Sequence, residues 1–369
     1  MSELRVAIVH ERFTEVGGSE RVVEQLRRLW PDAVVHAALV DRPALPPGLA
    51  GADVRASLAQ RFYRGGRGYA HVLPLIPAAM AHLDLGDVDL VVCSHHAFAN
   101  RVRPPPGVPV ISYTHTPARW IWEPSMRATE VGGVLGRLGL SAFAASQRRA
   151  DAAAARRAGR IVVNSRHVAG RVGRWWGCPA DVVPPPVDTE RHTPDPSVRR
   201  EPFFLLAGRL VPYKRPEVAV AAAERAGVRL VVVGEGRSRA AVEAVAGRGT
   251  VLLGEVDDAT LLDLYRRCRA LVFPGEEDFG IVPVEAQACG APVLARRIGG
   301  VLDSVVDGVT GALYDVGDDE VGALSSALRA FDPCRFDPDA VRANAERFSA
   351  SSFRHRFAEV VRRTFGRND

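Results

Sequence analysis

Features common in secreted, membrane-spanning and zinc-binding proteins are scarce in this sequence of 369 residues. The five cysteines are an odd, widely spaced set without a CxxC pair, which argues against a disulfide framework or a zinc site. No apolar run reaches the roughly 18 residues of a membrane span. The first residues enter a strand pattern at once and lack the basic and apolar regions of a signal peptide. We therefore expect a cytoplasmic protein.

A large excess of charge of one sign is also absent from the sequence. The net charge is +5, and acidic and basic residues are interspersed, so nucleic-acid binding is not indicated. Lysine is nearly absent: Lys214 is the only lysine, and the other basic residues among the 48 are arginines. Either this residue survived a genomic preference for arginine by chance, or it occupies a site that needs a compact ammonium group.

The length and the pattern of short apolar segments predict two α/β domains. Strands alternate with helices in both halves, which favours parallel sheets with helices on both faces. We expect two doubly wound, Rossmann-like domains that face each other across a cleft. The proline-rich stretch Pro184 to Asp188 reads as a stiff linker, so the predicted bounds are 1–186, 187–345 and a helix over 346–369 that returns to the first domain.

In the first half, a strand over Arg5 to His10 leads into Gly17-Gly18 and a helix that runs to about Trp30. The loop lacks the GxGxxG spacing of a nicotinamide site. Its glycines let backbone N–H groups approach a diphosphate or a sugar, or they simply make a tight turn.

Two further strands of the first half end in histidines, and the carboxyl ends of parallel strands favour ligand binding. Ser94-His95-His96 follows one strand, and Thr114-His115-Thr116-Pro117 follows the other. His115 is our candidate, although a histidine at a strand end is often only a structural hydrogen-bonding group. The loop after it carries candidate acceptor-side residues, namely Trp120, Trp122 and Glu123.

The segment 57–80 mixes basic and aromatic residues with apolar ones. This composition suits contact with lipid head groups, and an ordinary surface helix packed on its sheet explains it equally well.

Among the glutamates of the second half, Glu277 and Glu285 are candidate site residues, with seven residues between them. An apolar strand ends at Pro274-Gly275, and a helix is predicted to follow, with Pro283 in its first turn. Glu277 would stand on the loop and Glu285 early on the helix, so that both carboxylates face one crevice. Gly280 permits a close approach of a ligand to the backbone, and the N–H groups of the helix start can bind an anion.

Three other strand ends are expected at the same crevice. Arg209 and Lys214 share a loop after one strand and could clamp a diphosphate, one as a planar fork and the other as a point charge. Gly234-Glu235-Gly236 follows the next strand, and Glu255-Val256, beyond a further strand, could meet a base.

These pieces together resemble the retaining glycosyltransferases of the GT-B fold, a large family with bacterial mannosyl- and glucosyltransferases (glycosyltransferase family 4-like). The resemblance covers nearly the whole chain. It rests on Gly17-Gly18, Thr114-His115-Thr116-Pro117, Gly208-Arg209 with Lys214, Gly234-Glu235-Gly236, and Glu277 to Glu285.

The resemblance implies a donor site on the second domain. Arg209 and Lys214 would neutralise the leaving diphosphate without a metal. Glu277 would hold hydroxyls of the donor sugar, and Glu285 would bind the ribose. The backbone of Phe279, Gly280 and Ile281 would lie beside sugar and phosphate, the loop at Glu255-Val256 would contact the base, Gly18 would touch phosphate, and His115 would lie near the sugar.

The resemblance further implies transfer with retained anomeric configuration. The family's mannosyltransferases of surface-polysaccharide assembly favour GDP-mannose as the donor, with a UDP-sugar as the alternative. The acceptor would be a glycan, a lipid-linked molecule or a small molecule. A sugar-nucleotide epimerase or hydrolase and a non-catalytic scaffold remain alternatives, whereas a glycosidase has no use for a diphosphate clamp.

Overall fold

The computed structural model describes residues 4–65, 69–126 and 134–366. It divides into two compact units. The first takes the chain to Pro186 and again from Phe353 onward, and the second comprises Val187–Ser352. Residues 66–68 of the segment 57–80 and residues 367–369 of the terminal helix region lie outside the described residues.

The first unit is built on a seven-stranded parallel sheet. Its strands are β1 (Val6–Phe13), β2 (Val34–Val40), β3 (Val54–Ala56), β4 (Leu90–His95), β5 (Val110–Thr114), β6 (Arg160–Val163) and β7 (Asp181–Val182). Their order is β3-β2-β1-β4-β5-β6-β7, so the direction of winding reverses between β1 and β4. The central strands β1, β4 and β5 are buried except at Arg12, as expected of a sheet covered on both faces.

Helices connect these strands. They are α1 (Gly18–Leu29), α2 (Tyr69–Val72), α3 (Ile76–Ala81), α4 (Arg119–Trp122), α5 (Val134–Arg157) and α6 (Arg166–Trp176). The longest of those described, α5, has 24 residues. Ser165 caps α6 by accepting a hydrogen bond from the Val168 N–H, and Gly177 ends it in the left-handed conformation.

The second unit repeats this architecture with a six-stranded parallel sheet. Its strands are β8 (Phe203–Ala207), β9 (Arg229–Val233), β10 (Thr250–Gly254), β11 (Ala270–Phe273), β12 (Val293–Arg296) and β13 (Gly311–Tyr314). Their order is β10-β9-β8-β11-β12-β13. The reversal between β8 and β11 is the position where doubly wound sheets bind ligands.

The helices of the second unit alternate with its strands. They are α7 (Pro216–Ala226), α8 (Arg239–Val245), α9 (Asp258–Arg267), α10 (Ile281–Ala288), α11 (Val301–Ser304), α12 (Glu320–Ala330) and α13 (Pro338–Glu346). The prediction of two doubly wound parallel-sheet domains is confirmed.

The helix predicted over 346–369 corresponds to the last helix of the chain, which begins at Ala350. After α13 the chain breaks at residues 347–349, and α14 (Ala350–Phe365) begins. The Ser349 side chain accepts a hydrogen bond from the Ser352 N–H, which satisfies a donor at the new helix start. The last helix packs Phe353 and Phe357 into the core of the first unit, next to Tyr113.

Candidate functional site

Loops at the carboxyl ends of β8, β9, β11 and β12 converge in the second unit. The Leu210 N–H donates to the Glu235 carbonyl at 2.8 Å, which joins the first two loops. The Gly300 N–H donates to the Glu277 carbonyl at 2.8 Å, which joins the last two. The loops after β8 and β11 meet at Lys214 and Glu277, because β8 and β11 are neighbours in the sheet.

Lys214 and Glu277 form an ion pair at this point. The Lys214 Nζ lies 2.9 Å from the Glu277 Oε1, and each side chain is 18% exposed. Both side chains are thus mostly buried, so water screens their charges only in part. Arg209 lies on the same loop as Lys214, with an exposed side chain.

Glycines allow the backbones to pack against the base of this pair. Gly208 has φ +123°, and a Cβ atom there would lie 3.1 Å from the Lys214 Nζ. Gly234 has φ +117°, and its Cβ would meet the Gly208 carbonyl oxygen at 2.2 Å. Gly236, with φ +153°, would meet the Leu210 carbonyl oxygen at 2.4 Å. A side chain at these positions would separate the loops or fill the space above them.

The helix start predicted after Gly280 is present. Gly280 has φ +86° and precedes α10, whose first residue is Ile281. A Cβ on Gly280 would lie 3.2 Å from the Phe273 ring, so glycine is needed for packing as well as for conformation. The Phe279 side chain is buried against Phe348, and the contact of its backbone with a ligand stays a prediction.

Glu285 is more deeply placed than the sequence indicated. It lies in the middle of α10, is 8% exposed and accepts a hydrogen bond from the Tyr265 hydroxyl at 3.0 Å. Burial and the neighbouring Glu285 carboxylate raise the pKa of Tyr265 well above its ordinary value. The hydroxyl therefore stays protonated and fixes one oxygen of Glu285.

Glu235, a predicted donor-binding residue, follows β9, and the predicted base-contacting residues Glu255 and Val256 follow β10. Glu235 forms an ion pair with Arg239 on α8. Glu255 is exposed and Val256 is partly buried against the core, on the loop that leads to α9. The Gly234 N–H donates to the Gly254 carbonyl at 2.7 Å, so this loop is tied to the glycine turn after β9.

In the first unit, His115 belongs to a chain of hydrogen bonds. Its Nε2 lies 2.8 Å from the Ser94 Oγ, which lies 3.0 Å from the His10 Nδ1. The His10 Nε2 is 3.2 Å from the Glu20 Oε1. The His96 ring stacks on His115 with centroids 4.5 Å apart. This chain crosses the reversal point of the first sheet, since His10 is on β1 and Ser94 on β4.

The glycine loop joins the same chain through Glu20. The Gly17 N–H donates to the Glu20 Oε2 at 2.9 Å, and the Ser19 hydroxyl donates to the same oxygen at 2.8 Å. The N–H of Gly17, a predicted donor-binding group, is therefore used inside the protein. Gly18 is the first residue of α1.

The predicted acceptor-side residues are anchored within the first unit. The Trp122 Nε1 donates to the buried Asp151 Oδ2 at 2.7 Å, and Trp120 stacks on Phe143. Glu123 pairs with Arg119 at 3.1 Å. These contacts fix the loop after His115, and they leave its acceptor role a prediction.

Sequence reasoning missed His10, Glu20 and Ser94 as partners of His115. One signal was present, because a glutamate three residues after Gly17 has the spacing of a capping box. His10 and Ser94 are far apart in the sequence, and their contact follows from the pairing of β1 with β4, where they are register partners.

Within the described residues, no group of three or more His, Cys, Asp or Glu side chains is placed to hold a metal ion. No described helix combines the length and apolar character that crossing a bilayer requires.

Two family models match adjoining parts of the chain. Residues 16–191 match the model described as Glycosyltransferase Family 4, and residues 188–334 match that of Glycosyl transferases group 1. D-inositol 3-phosphate glycosyltransferase of Segniliparus rotundus is 35% identical over 226 residues, which cover 52% of this chain and 49% of that protein. The protein of the same name from Xylanimonas cellulosilytica is 38% identical over 199 residues, 44% of this chain and 48% of its own. The chain spans about half the length of these relatives.

Solved structures match the whole fold. Sucrose-phosphate synthase from Thermosynechococcus elongatus superposes with a TM-score of 0.71 at 18% identity, covering 99% of this chain and 100% of that one. Anabaena HepE in complex with UDP and glucose gives 0.68 at 19% identity, covering 97% and 99%. The fold is thus that of GT-B glycosyltransferases.

Proposed function

We propose that this protein is a glycosyltransferase that moves a hexose from a nucleotide diphosphate sugar to a hydroxyl-bearing acceptor. The observation that carries the proposal is the Lys214–Glu277 pair among glycine-lined loops at the reversal point of the second sheet. The two family matches support it, and so do relatives and structural neighbours named as glycosyltransferases or bound to UDP.

The pair offers two complementary groups to such a donor. The Lys214 ammonium, with Arg209 on the same loop, attracts the diphosphate and stabilises the charge that develops as the sugar leaves. The Glu277 carboxylate accepts hydrogen bonds from sugar hydroxyls. Donor binding replaces part of the ion pair, so neither charge is left buried without a partner.

The resemblance also supplies the finer parts of the proposal. It assigns retention of the anomeric configuration, with His115 near the transferred sugar and Glu285 at the ribose. GDP-mannose is the donor favoured by the sequence motifs, whereas the neighbours that hold UDP favour a UDP-sugar. The acceptors to be compared are an inositol phosphate, as in the names of the relatives, and a lipid-linked glycan.

A direct test measures transfer from GDP- and UDP-sugars to these acceptors, after a thermal-shift screen of the donors. We expect one donor to raise the melting temperature and to be consumed efficiently only when an acceptor is present. Efficient turnover without an acceptor would instead show an epimerase or hydrolase, and absence of any donor binding would show a non-catalytic scaffold. The anomeric proton of the product, observed by NMR, shows retention or inversion.

Lys214→Ala and Glu277→Ala test the site itself. Each should lower kcat/KM by two orders of magnitude or more, since each removes a charged group from the developing transition state. Arg225→Ala is the matched control, because Arg225 pairs with Asp319 at the end of α7 in the same unit. Wild-type turnover of either site variant would refute the assignment.

Turnover should also persist with excess chelator, and its loss would show that a metal is required.

Peripheral membrane contact is a separate proposal. Leu58 and Phe62 are each about two-thirds exposed on the segment 57–80. The protein should sediment with anionic vesicles, and Leu58→Ser with Phe62→Ser should abolish this. Val245→Ser, at an exposed position of the second unit, is the control. Equal sedimentation of wild type and double variant would rule out this surface.

A further inference from the structure

The environment of His115 determines which of its nitrogens carries the proton. Burial lowers the pKa of His115 well below its ordinary value, and burial also lowers that of the stacked His96 to about 3. His115 is therefore neutral near physiological pH, with one protonated and one unprotonated ring nitrogen. A hydrogen-bond partner at one nitrogen then fixes the state of the other.

The chain of bonds behind His115 begins at a carboxylate. Burial raises the pKa of Glu20, but the hydrogen bonds from His10 and Ser19 and the nearby charges together outweigh burial, and the pKa ends below its ordinary value. Glu20 is thus ionised and can only accept, so the His10 Nε2 donates to it. In the neutral form of His10, Nδ1 is an acceptor and takes the proton of the Ser94 hydroxyl, 3.0 Å away. The Ser94 Oγ then accepts from the His115 Nε2.

We propose that Glu20, His10 and Ser94 are positioning residues that hold His115 as the Nε2–H tautomer, so that its Nδ1 accepts a hydrogen bond from a substrate hydroxyl. The chain is preorganised, since His10 is fully buried and Ser94 is its register partner on the adjacent strand. The backbone of His115 is also fixed, because its carbonyl accepts from the Asn164 Nδ2 at 2.8 Å and its N–H donates to the His95 carbonyl at 2.9 Å.

This inference deepens the proposed function, on which it rests for the identity of the substrate. An unprotonated Nδ1 matches a sugar or acceptor hydroxyl, which donates, and does not match a phosphate oxygen, which can only accept. Glu20 also receives the Gly17 N–H. The same carboxylate therefore fixes both the glycine loop and the ring of His115.

The test is a long-range proton–nitrogen NMR spectrum of the full chain with ¹⁵N-labelled histidine, at roughly pH 8, above the ordinary imidazole pKa of about 6.5. His115→Gln identifies the signals of His115 by their disappearance. In the wild type we expect the Nε2–H tautomer. In Ser94→Ala the His115 signals should shift toward a mixture of tautomers, and Ser94→Thr should restore the wild-type pattern.

Kinetics provide a second readout. Ser94→Ala should lower kcat about tenfold or more while the donor KM stays within about twofold, because a wrong tautomer affects the reacting complex. Ser112→Ala is the matched control, since Ser112 is an equally buried serine on β5 that bonds to Thr114. It should leave both the spectrum and kcat unchanged.

Two results would overturn the proposed relay, that is, the chain of hydrogen bonds from Glu20 through His10 and Ser94 to His115. They are the Nδ1–H tautomer in the wild type and unchanged His115 signals in Ser94→Ala. The spectrum requires no turnover. If the relay is seen and no donor is bound or consumed, the relay stands and the proposed function fails. If transfer occurs but the tautomer is the opposite one, only the relay fails.

Discussion

Asp151 shows how one buried carboxyl group can control the response of the first unit to pH. It is 1% exposed, and its Oδ2 accepts hydrogen bonds from the Trp122 and Trp176 indoles at 2.7 and 2.8 Å. Burial raises the pKa of Asp151 to about 6, although the two indole N–H groups lower it in part. The folded state therefore prefers the protonated form. The resulting stabilisation is full below the ordinary pKa of about 3.9 and is lost as the pH rises through 6.

We predict that wild type loses up to about 3 kcal/mol relative to Asp151→Asn between pH 4 and 7, since one pKa unit corresponds to about 1.4 kcal/mol. Urea unfolding followed by tryptophan fluorescence measures this. All five tryptophans belong to the first unit, so the signal is specific to it. Asp53→Asn is the control, because its hydrogen bond with Arg55 lowers the pKa of Asp53 and gives the opposite sign. Parallel pH profiles for wild type and Asp151→Asn would contradict the prediction.

The residue types of the candidate site in the second unit could be predicted from the sequence, but the contacts between these residues could not. Lys214 and Glu277 were expected at one crevice, because strand ends of a parallel sheet share an edge. That they touch depends on β8 lying next to β11, which no local pattern encodes. The buried Glu285 accepts a hydrogen bond from Tyr265 on another helix, and no local sequence pattern indicates that these two residues are in contact.

At the scale of elements, the turn after β9 packs closely against the loop after β8 because glycines leave the space between them free of side chains. Gly234→Ala would place a Cβ 2.2 Å from the Gly208 carbonyl oxygen in a backbone conformation that costs about 1–3 kcal/mol for other residues. The loop that carries Lys214 would have to move.

We predict that Gly234→Ala weakens donor binding at least tenfold and lowers the melting temperature of the second unit, as measured by calorimetric titration and circular dichroism. Gly227→Ala separates strain from collision, because Gly227 has φ +68° but no atom within 4 Å of its Cβ position. It should cost about 1 kcal/mol and leave donor affinity intact. Equal losses of affinity in the two variants would show that the close approach of the loops is unimportant.

Strands made mostly of apolar residues, such as β2, β8, β9 and β11, have a clear sequence signal. The strands that sequence reasoning missed are marginal ones. β3 is three residues long with two of them exposed, and β7 has only two residues. Such strands form because a neighbouring strand offers unpaired backbone groups, and their own side chains carry little signal. β13 was missed although two of its four residues are buried.

At the scale of the whole molecule, the chain returns to the unit in which it began. α14 contributes Phe353, Phe357, Val360 and Val361 to the core that contains β1, β4 and β5. The Phe357 ring is fully buried and contacts both Trp30 and Tyr113. The first unit is therefore completed only by the last helix, and its stability depends on residues far from the rest of the unit in sequence.

Phe357→Ala should consequently destabilise the first unit by about 3–5 kcal/mol, the cost of removing a buried phenylalanine, and leave the second unit unchanged. Hydrogen exchange read by mass spectrometry should show faster exchange in β1, β4 and β5 but not in β8, β9 and β11. Phe204→Ala is the reciprocal control, because Phe204 is 1% exposed in a core of the second unit, and it should reverse the pattern. Tryptophan fluorescence should detect unfolding at lower urea concentration only in Phe357→Ala. Faster exchange across both sheets in either variant would show that the two cores do not unfold independently.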